Sequence, residues 1–232
     1  MRFCVFLMQV NFEINIDLLH DKTVISALGI LQLPVLVYFR EPKPPAVFYA
    51  QLAPFPNTYA SYSNSGLMTS AITEHWLEQV FLPNAQRSPT LIVDSWTGYN
   101  QAKNVFREQV RFKTVPKKCT NLAQPLDIYF NRQFKAFYRR LSETVIREDE
   151  AFIVSQRANV GRLLNLTFAQ FSAPRFQPML KYAWHAAGLL EERPPSFVTP
   201  EKFIFGFSFY AVSCSLCPSH VVARQTHRAN AF

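Results

Sequence analysis

From Pro125 onward the hydrophobic period of this chain is helical, after a largely strand-like first half, and that change limits the folds open to it. Upstream, apolar residues come in runs suited to strands. Phe3 to Val10 is nearly continuous, and Val10, Phe12, Ile14 and Ile16 alternate over residues 10–16. Residues 23–28 and 33–39 read as two more strands, with Gly29 near the turn between them. Thr90-Leu-Ile-Val is short and apolar and ends on Asp94, and residues 109–115 alternate before Pro116. One helix interrupts the series. Thr69 or Ser70 can cap it, Ile72, Trp76, Leu77 and Val80 share one face, and Pro83 stops it after Phe81. Downstream, Ile128, Phe130, Phe134, Phe137, Leu141 and Val145 recur at helical spacing, with proline in the first turn where a helix tolerates it best. Helical patterning continues to about Leu190.

The order strand–strand–strand–helix–strand–strand–helix predicts an α/β fold: a ribonuclease-H-like mixed sheet with flanking helices, then a helical extension and a short irregular tail. Other α/β folds share that order. The expected divisions are a core over 1–150, a helical extension over 151–195 and a tail over 196–232. Pro42, Pro44, Pro45, Pro54 and Pro56 mark a loop in which regular structure is not expected. The tail from Phe197 onward shows no clear period.

Two apolar stretches invite membrane readings, and both fail on sequence. Phe3–Val10 follows Arg2 as in a signal peptide, but Asn11, Glu13 and Asn15 follow in place of small residues. Thr23–Phe39 is interrupted by Gly29, Gln32 and Pro34 and is shorter than the roughly 20 residues a spanning helix needs. Both read as strands of a soluble protein. The four cysteines (Cys4, Cys119, Cys214, Cys217) are too few and too unevenly spaced for a disulfide scaffold, so reduced intracellular thiols are expected.

Charge is concentrated. The net charge is +8, and residues 101–140 hold ten basic groups (Lys103, Arg107, Arg111, Lys113, Lys117, Lys118, Arg132, Lys135, Arg139, Arg140) against Glu108 and Asp127. The other 192 residues balance at 14 basic and 14 acidic groups. The whole excess thus sits in forty residues, as expected of one polyanion-facing surface, although a solvated helix face would also fit.

Two acids flank or lie within that segment. An acid at the end of a buried strand, such as Asp94, is costly unless it binds something. Asp127 lies at a helix start, where the macrodipole favours a carboxylate. Carboxylates converging on divalent cations can drive in-line displacement at phosphorus, and magnesium and manganese take such oxygen ligands. Taken singly, Asp94 also reads as a turn residue and Asp127 as ordinary helix-start charge.

The segment Leu91-Ile-Val-Asp-Ser-Trp-Thr-Gly-Tyr-Asn100 resembles the second-aspartate strand of DDE-superfamily transposases of the mariner/pogo kind, nematode versions in particular. Val115-Pro-Lys-Lys-Cys-Thr-Asn-Leu-Ala-Gln-Pro-Leu-Asp127 resembles their third-acid motif, with 32 residues between the two acids. Ser65-Gly-Leu-Met-Thr69 and Gln170–Trp184 resemble further family segments, so the likeness spans roughly residues 20–217. It implies a nuclease core in which Asp94 and Asp127 are catalytic metal ligands and Mg2+ or Mn2+ is the cofactor if the enzyme is active. It also implies that the ten basic groups hold DNA, in the nucleus, with a homodimer as in related transposases.

The departures weigh against an active enzyme. The family carries a first Asp on its first strand, and Met1–Asp17 does not resemble that segment, as though the domain were truncated at its N-terminus. Asp17 is the one stand-in. Cys214-Ser-Leu-Cys217 resembles half of a zinc element, and no second Cys-x-x-Cys follows, so zinc at the tail is not expected. The leading expectation is a DNA-binding, transposase-derived domain with impaired strand cleavage. The alternative is a non-catalytic interaction protein or a decaying transposon remnant.

Overall fold

The computed structural model describes residues 4–11, 19–119, 123–206, 209–213 and 220–224. A six-stranded mixed sheet runs in the order β4-β3-β2-β1-β5-β6. Its strands are β1 (Cys4–Asn11), β2 (Leu19–Ser26), β3 (Val35–Arg40), β4 (Thr58–Ser63), β5 (Thr90–Val93) and β6 (Arg111–Thr114). β1, β2 and β3 form an antiparallel meander, whereas β5 joins β1 in parallel and β6 joins β5 in parallel. β4 closes the far edge, parallel to β3. The meander followed by parallel strands is the ribonuclease-H-like arrangement expected from the sequence.

Helices cover both faces, and strand alternation explains how. Along β3, Val35, Val37 and Phe39 enter one cluster and Leu36 and Tyr38 the other. The larger cluster receives α1 (Phe48–Leu52), α4 (Asn131–Glu148), α5 (Arg157–Ser172) and α6 (Gln177–Ala186). Much of the phenylalanine content goes here: Phe130, Phe134, Phe168 and Phe171 contact one another at ring separations of 5.0–5.7 Å. Helices of residues 151–195 thus share one core with the sheet and α4. The smaller cluster receives α2 (Ser70–Trp76) and α3 (Tyr99–Val105) through Trp76, Tyr99 and Ala102. No described helix is long and apolar enough to cross a membrane.

Local signals account for the boundaries. Thr69 caps α2, its hydroxyl accepting from the Ile72 N–H at 3.2 Å. Gly29 turns β2 toward β3 at φ +75°, and a Cβ there would lie 2.4 Å from the Gln177 carbonyl oxygen. The Gln177 amide in turn donates to the Leu28 carbonyl at 2.8 Å, tying this turn to α6.

Several expectations are corrected. The helix beginning at Ser70 passes Phe81 through a π-helical turn (Leu77–Phe81) and ends at Asn84, because Pro83 falls at the start of a turn, where no N–H is required. The proline-rich loop contains α1, held by burial of Phe48 and Leu52. β4 and α3 went unread, since neither has a long periodic apolar face. The first strand is Cys4–Asn11; the rest of the alternating 10–16 segment lies outside the described residues. In the tail, α7 (Pro200–Phe205) brings Phe205 to 5.6 Å from Phe137. Beyond it, β7 (Phe209–Ser213) and β8 (His220–Arg224) pair antiparallel, in keeping with their β-prone Phe-Tyr-Ala-Val and Val-Val.

Candidate functional site

Asp94 follows the last residue of β5, where the strand leaves the core. Its Oδ1 accepts from the Trp96 N–H at 2.9 Å, so the carboxylate serves the turn while remaining part-exposed. The Trp96 ring packs over Gly98, where a Cβ would lie 2.1 Å from the indole, and meets Tyr99 edge-on at 5.2 Å. Trp96 therefore shapes the turn behind Asp94.

Asp127 comes from a distant part of the chain. It lies in a π-helical turn (Leu126–Phe130) that leads into α4, a rare geometry that recurs at functional sites. Its Oδ1 accepts from the Asn131 amide at 3.2 Å. Burial is the main cause that pushes the Asp127 carboxyl up to about 6; the Asn131 bond opposes it, Asp94 adds to it, and Lys135 opposes it. The Asp94 charge at the end of β5 is thus among those that reach Asp127 at the start of α4. Neither carboxylate makes a further hydrogen bond among the described residues.

Beneath Asp94 lies Lys22 of β2. Its ammonium is fully buried, 4.7 Å from the ring centroids of both Trp76 and Tyr99, and donates to Thr73 Oγ1 at 3.4 Å. Burial drives its pKa well down, and Asp94 pulls it back up. The Tyr99 hydroxyl is pushed well up, first by burial and then by Asp94 and Tyr38.

The ten basic groups divide between two places. Arg132, Lys135 and Arg139 line an open groove with Asp127, Asn131 and Ala136. Asp127, Asn131, Lys135 and Arg139 recur every four residues, so they form one row that starts at the acid and runs along α4. Arg111 and Lys113 stand exposed on edge strand β6. β6 brings Thr114 level with Val93, and Lys103 donates to the Thr114 hydroxyl at 2.8 Å, on the Asp94 side. Lys117 and Lys118 are exposed in the following turn. Arg107 pairs with Glu108 at 3.2 Å and Arg140 with Glu143 at 3.8 Å, both weak exposed pairs. Basic groups thus stand along α4 beside Asp127 and along β6 beside β5.

Among the described residues no third acid joins Asp94 and Asp127. β1 is the strand between β2 and β5, and Cys4–Asn11 contains no Asp or Glu. The register Cys4↔Thr90, Val5↔Leu91, Phe6↔Ile92, continued by two residues, sets Met8 level with Asp94. Asp21 is buried on β2, paired with Val10, and its Oδ2 accepts from the Thr23 hydroxyl at 3.1 Å. Among the described residues no three His, Cys, Asp or Glu side chains cluster to hold a metal. Asp17, Cys214 and Cys217 lie outside the described residues.

One further group stands out in the Gln-Pro-Leu-Asp motif. Gln124 is fully buried, and neither its amide oxygen nor its amide nitrogen has a hydrogen-bond partner. Such orphans are rare and cost about 1–3 kcal/mol each. The carboxylates of Asp94 and Asp127 are hard oxygen ligands of the kind magnesium and manganese take, so the residues present fit such an ion. Sequence reading missed Gln124 and Asn131, although both lie within four residues of Asp127; their chemistry shows only through burial and pairing.

A family model described as DDE superfamily endonuclease matches residues 25–184. No curated protein and no solved structure matches the chain.

Proposed function

Because this chain belongs to the DDE superfamily endonucleases, by a match over about two thirds of its length, we propose that it is a transposase-derived domain that binds DNA across its acid pair. Asp94 and Asp127 are its metal ligands, and Arg132, Lys135, Arg139, Lys113, Lys117 and Lys118 are its main phosphate contacts. The observation that carries this reading is the row Asp127, Asn131, Lys135, Arg139, which joins a metal-ligating carboxylate to a basic groove on one helix. A magnesium or manganese ion bound at the pair supplies Lewis-acid activation of a phosphodiester and of a water. The chain's own groups do the rest: the basic groups along α4 and β6 hold the backbone, and Trp96 and Asn131 fix the orientation of the two carboxylates. Strand cleavage is impaired, because the strand beside Asp94 carries no carboxylate to share the ion. DNA as the substrate goes with a nuclear location, which imaging of a tagged full-length chain checks.

Binding is directed at the DNA backbone and therefore salt-dependent. Six phosphate contacts give a slope of log affinity against log salt of about −5 on duplex DNA, and neutralising Arg132, Lys135 and Arg139 together brings it to about −3. Titrations of labelled duplex at several salt concentrations measure both. A slope near zero in the wild-type chain overturns DNA binding. A slope unchanged in the triple variant removes the α4 groove from the interface.

A further inference from the structure

We propose that the side-chain amide oxygen of Gln124 is the third protein ligand of a divalent cation held by Asp94 and Asp127, in place of a carboxylate from β1. The inference rests on the acid pair being a metal site and goes beyond it by naming a neutral ligand. Gln124 lies three residues before Asp127 at the helix start, and its carbonyl accepts from the Ile128 N–H at 3.0 Å. That bond closes the first turn, which keeps Gln124 within one turn of Asp127.

The second observation is independent of sequence position. Gln124 is completely buried, yet both polar atoms of its side chain are unpartnered. A buried amide with both atoms unsatisfied, one turn from a carboxylate, is accounted for by a ligand that takes its oxygen. Six-coordinate Mg2+ or Mn2+ accepts amide carbonyls beside carboxylates and keeps waters at the remaining positions. The Gln124 N–H group is then placed to donate to one of those waters.

The test is Mn2+ binding to the full chain, read from the electron paramagnetic resonance signal of free Mn2+, with no turnover required. Gln124→Met keeps side-chain volume and removes the ligand, so Mn2+ affinity falls about tenfold, and Gln124→Glu binds Mn2+ more tightly than wild type. Without metal, Gln124→Met melts at or above the wild-type temperature, since it loses no hydrogen bond; a Gln124 that was merely structural would give a lower melting temperature. Should Gln124→Met not fold, Gln124→Glu carries the test alone: tighter Mn2+ binding supports the assignment and unchanged binding overturns it. If Asp127→Asn abolishes binding while Gln124→Met stays within about twofold of wild type, Gln124 is not a ligand and the acid pair stands. If Asp94→Asn and Asp127→Asn both bind Mn2+ like wild type, the acid pair itself fails.

Discussion

β1 and β5 lie side by side in the sheet, parallel and in register from Cys4↔Thr90 to Phe6↔Ile92, and they differ at one level. Where β5 ends on Asp94, the same level of β1 carries Met8, and the whole strand Cys4–Asn11 lacks an acid. As scaffold the two are equivalent. Each supplies a ladder of backbone donors and acceptors, and β1 holds the centre of the sheet between β2 and β5. The difference is confined to chemistry. An apolar residue at that level costs the fold nothing, whereas a carboxylate there loses part of its hydration. A β1 without an acid is therefore compatible with the same six-stranded sheet.

The comparison breaks most sharply if the scaffold of β5 is attacked and its acid is not. Leu91 is fully buried, so Leu91→Ala costs about 3 kcal/mol in urea denaturation, whereas Asp94→Asn changes stability by less than about 1 kcal/mol. Equal losses would mean that Asp94 is structural. Next in size is the repair of β1. Met8→Asp puts a carboxylate level with Asp94, and Mn2+-dependent nicking of supercoiled DNA then rises at least about tenfold over wild type, while Met8→Asp with Asp94→Asn stays at background. No rise from the single variant would show that the missing acid is not what limits cleavage.

The smallest effect concerns Asp127. Its carboxyl is raised from an ordinary 3.8 to about 6, chiefly by burial, so the native state holds the proton more tightly than the unfolded chain does. The protonated form stabilises the fold fully below about pH 3.8, and that contribution is lost as pH rises through about 6. At pH 7 the ionised carboxylate is therefore a burden, and Asp127→Asn relieves it. The full shift would correspond to about 3 kcal/mol, which half-exposure to solvent reduces to about 1 kcal/mol. Metal-free denaturation at pH 7 and pH 4 checks this: the gain present at pH 7 disappears at pH 4. A gain that persists at pH 4 would remove burial of charge as its cause.

Reading of the sequence reached elements whose stability is written into a short window. β5, β6 and the helix from Pro125 show there, because Leu91 and Val93, or Phe130, Phe134 and Phe137, repeat at the period of their element. It missed α1, where Phe48 and Leu52 alone hold one turn amid five prolines, and β4, which borrows its ladder from β3. At the site the same divide holds. Asp94 and Asp127 were legible from the ends of their elements, while Asn131 and Gln124 were not, since one is defined by a hydrogen bond and the other by the absence of any.

The sequence by itself determined the periods of the strands and helices, the positions of the two acids at element ends, and a net charge of +8 carried by forty residues. Only the tertiary structure decided that the Asp94 charge reaches Asp127, that the cations divide between the α4 groove and the β6 edge, and that β1 lies beside β5. The physical reason is range. Periodicity and capping arise between residues a few positions apart, but strand order, burial and the meeting of β5 with a helix 32 residues further on depend on contacts that exist only once the sheet has closed.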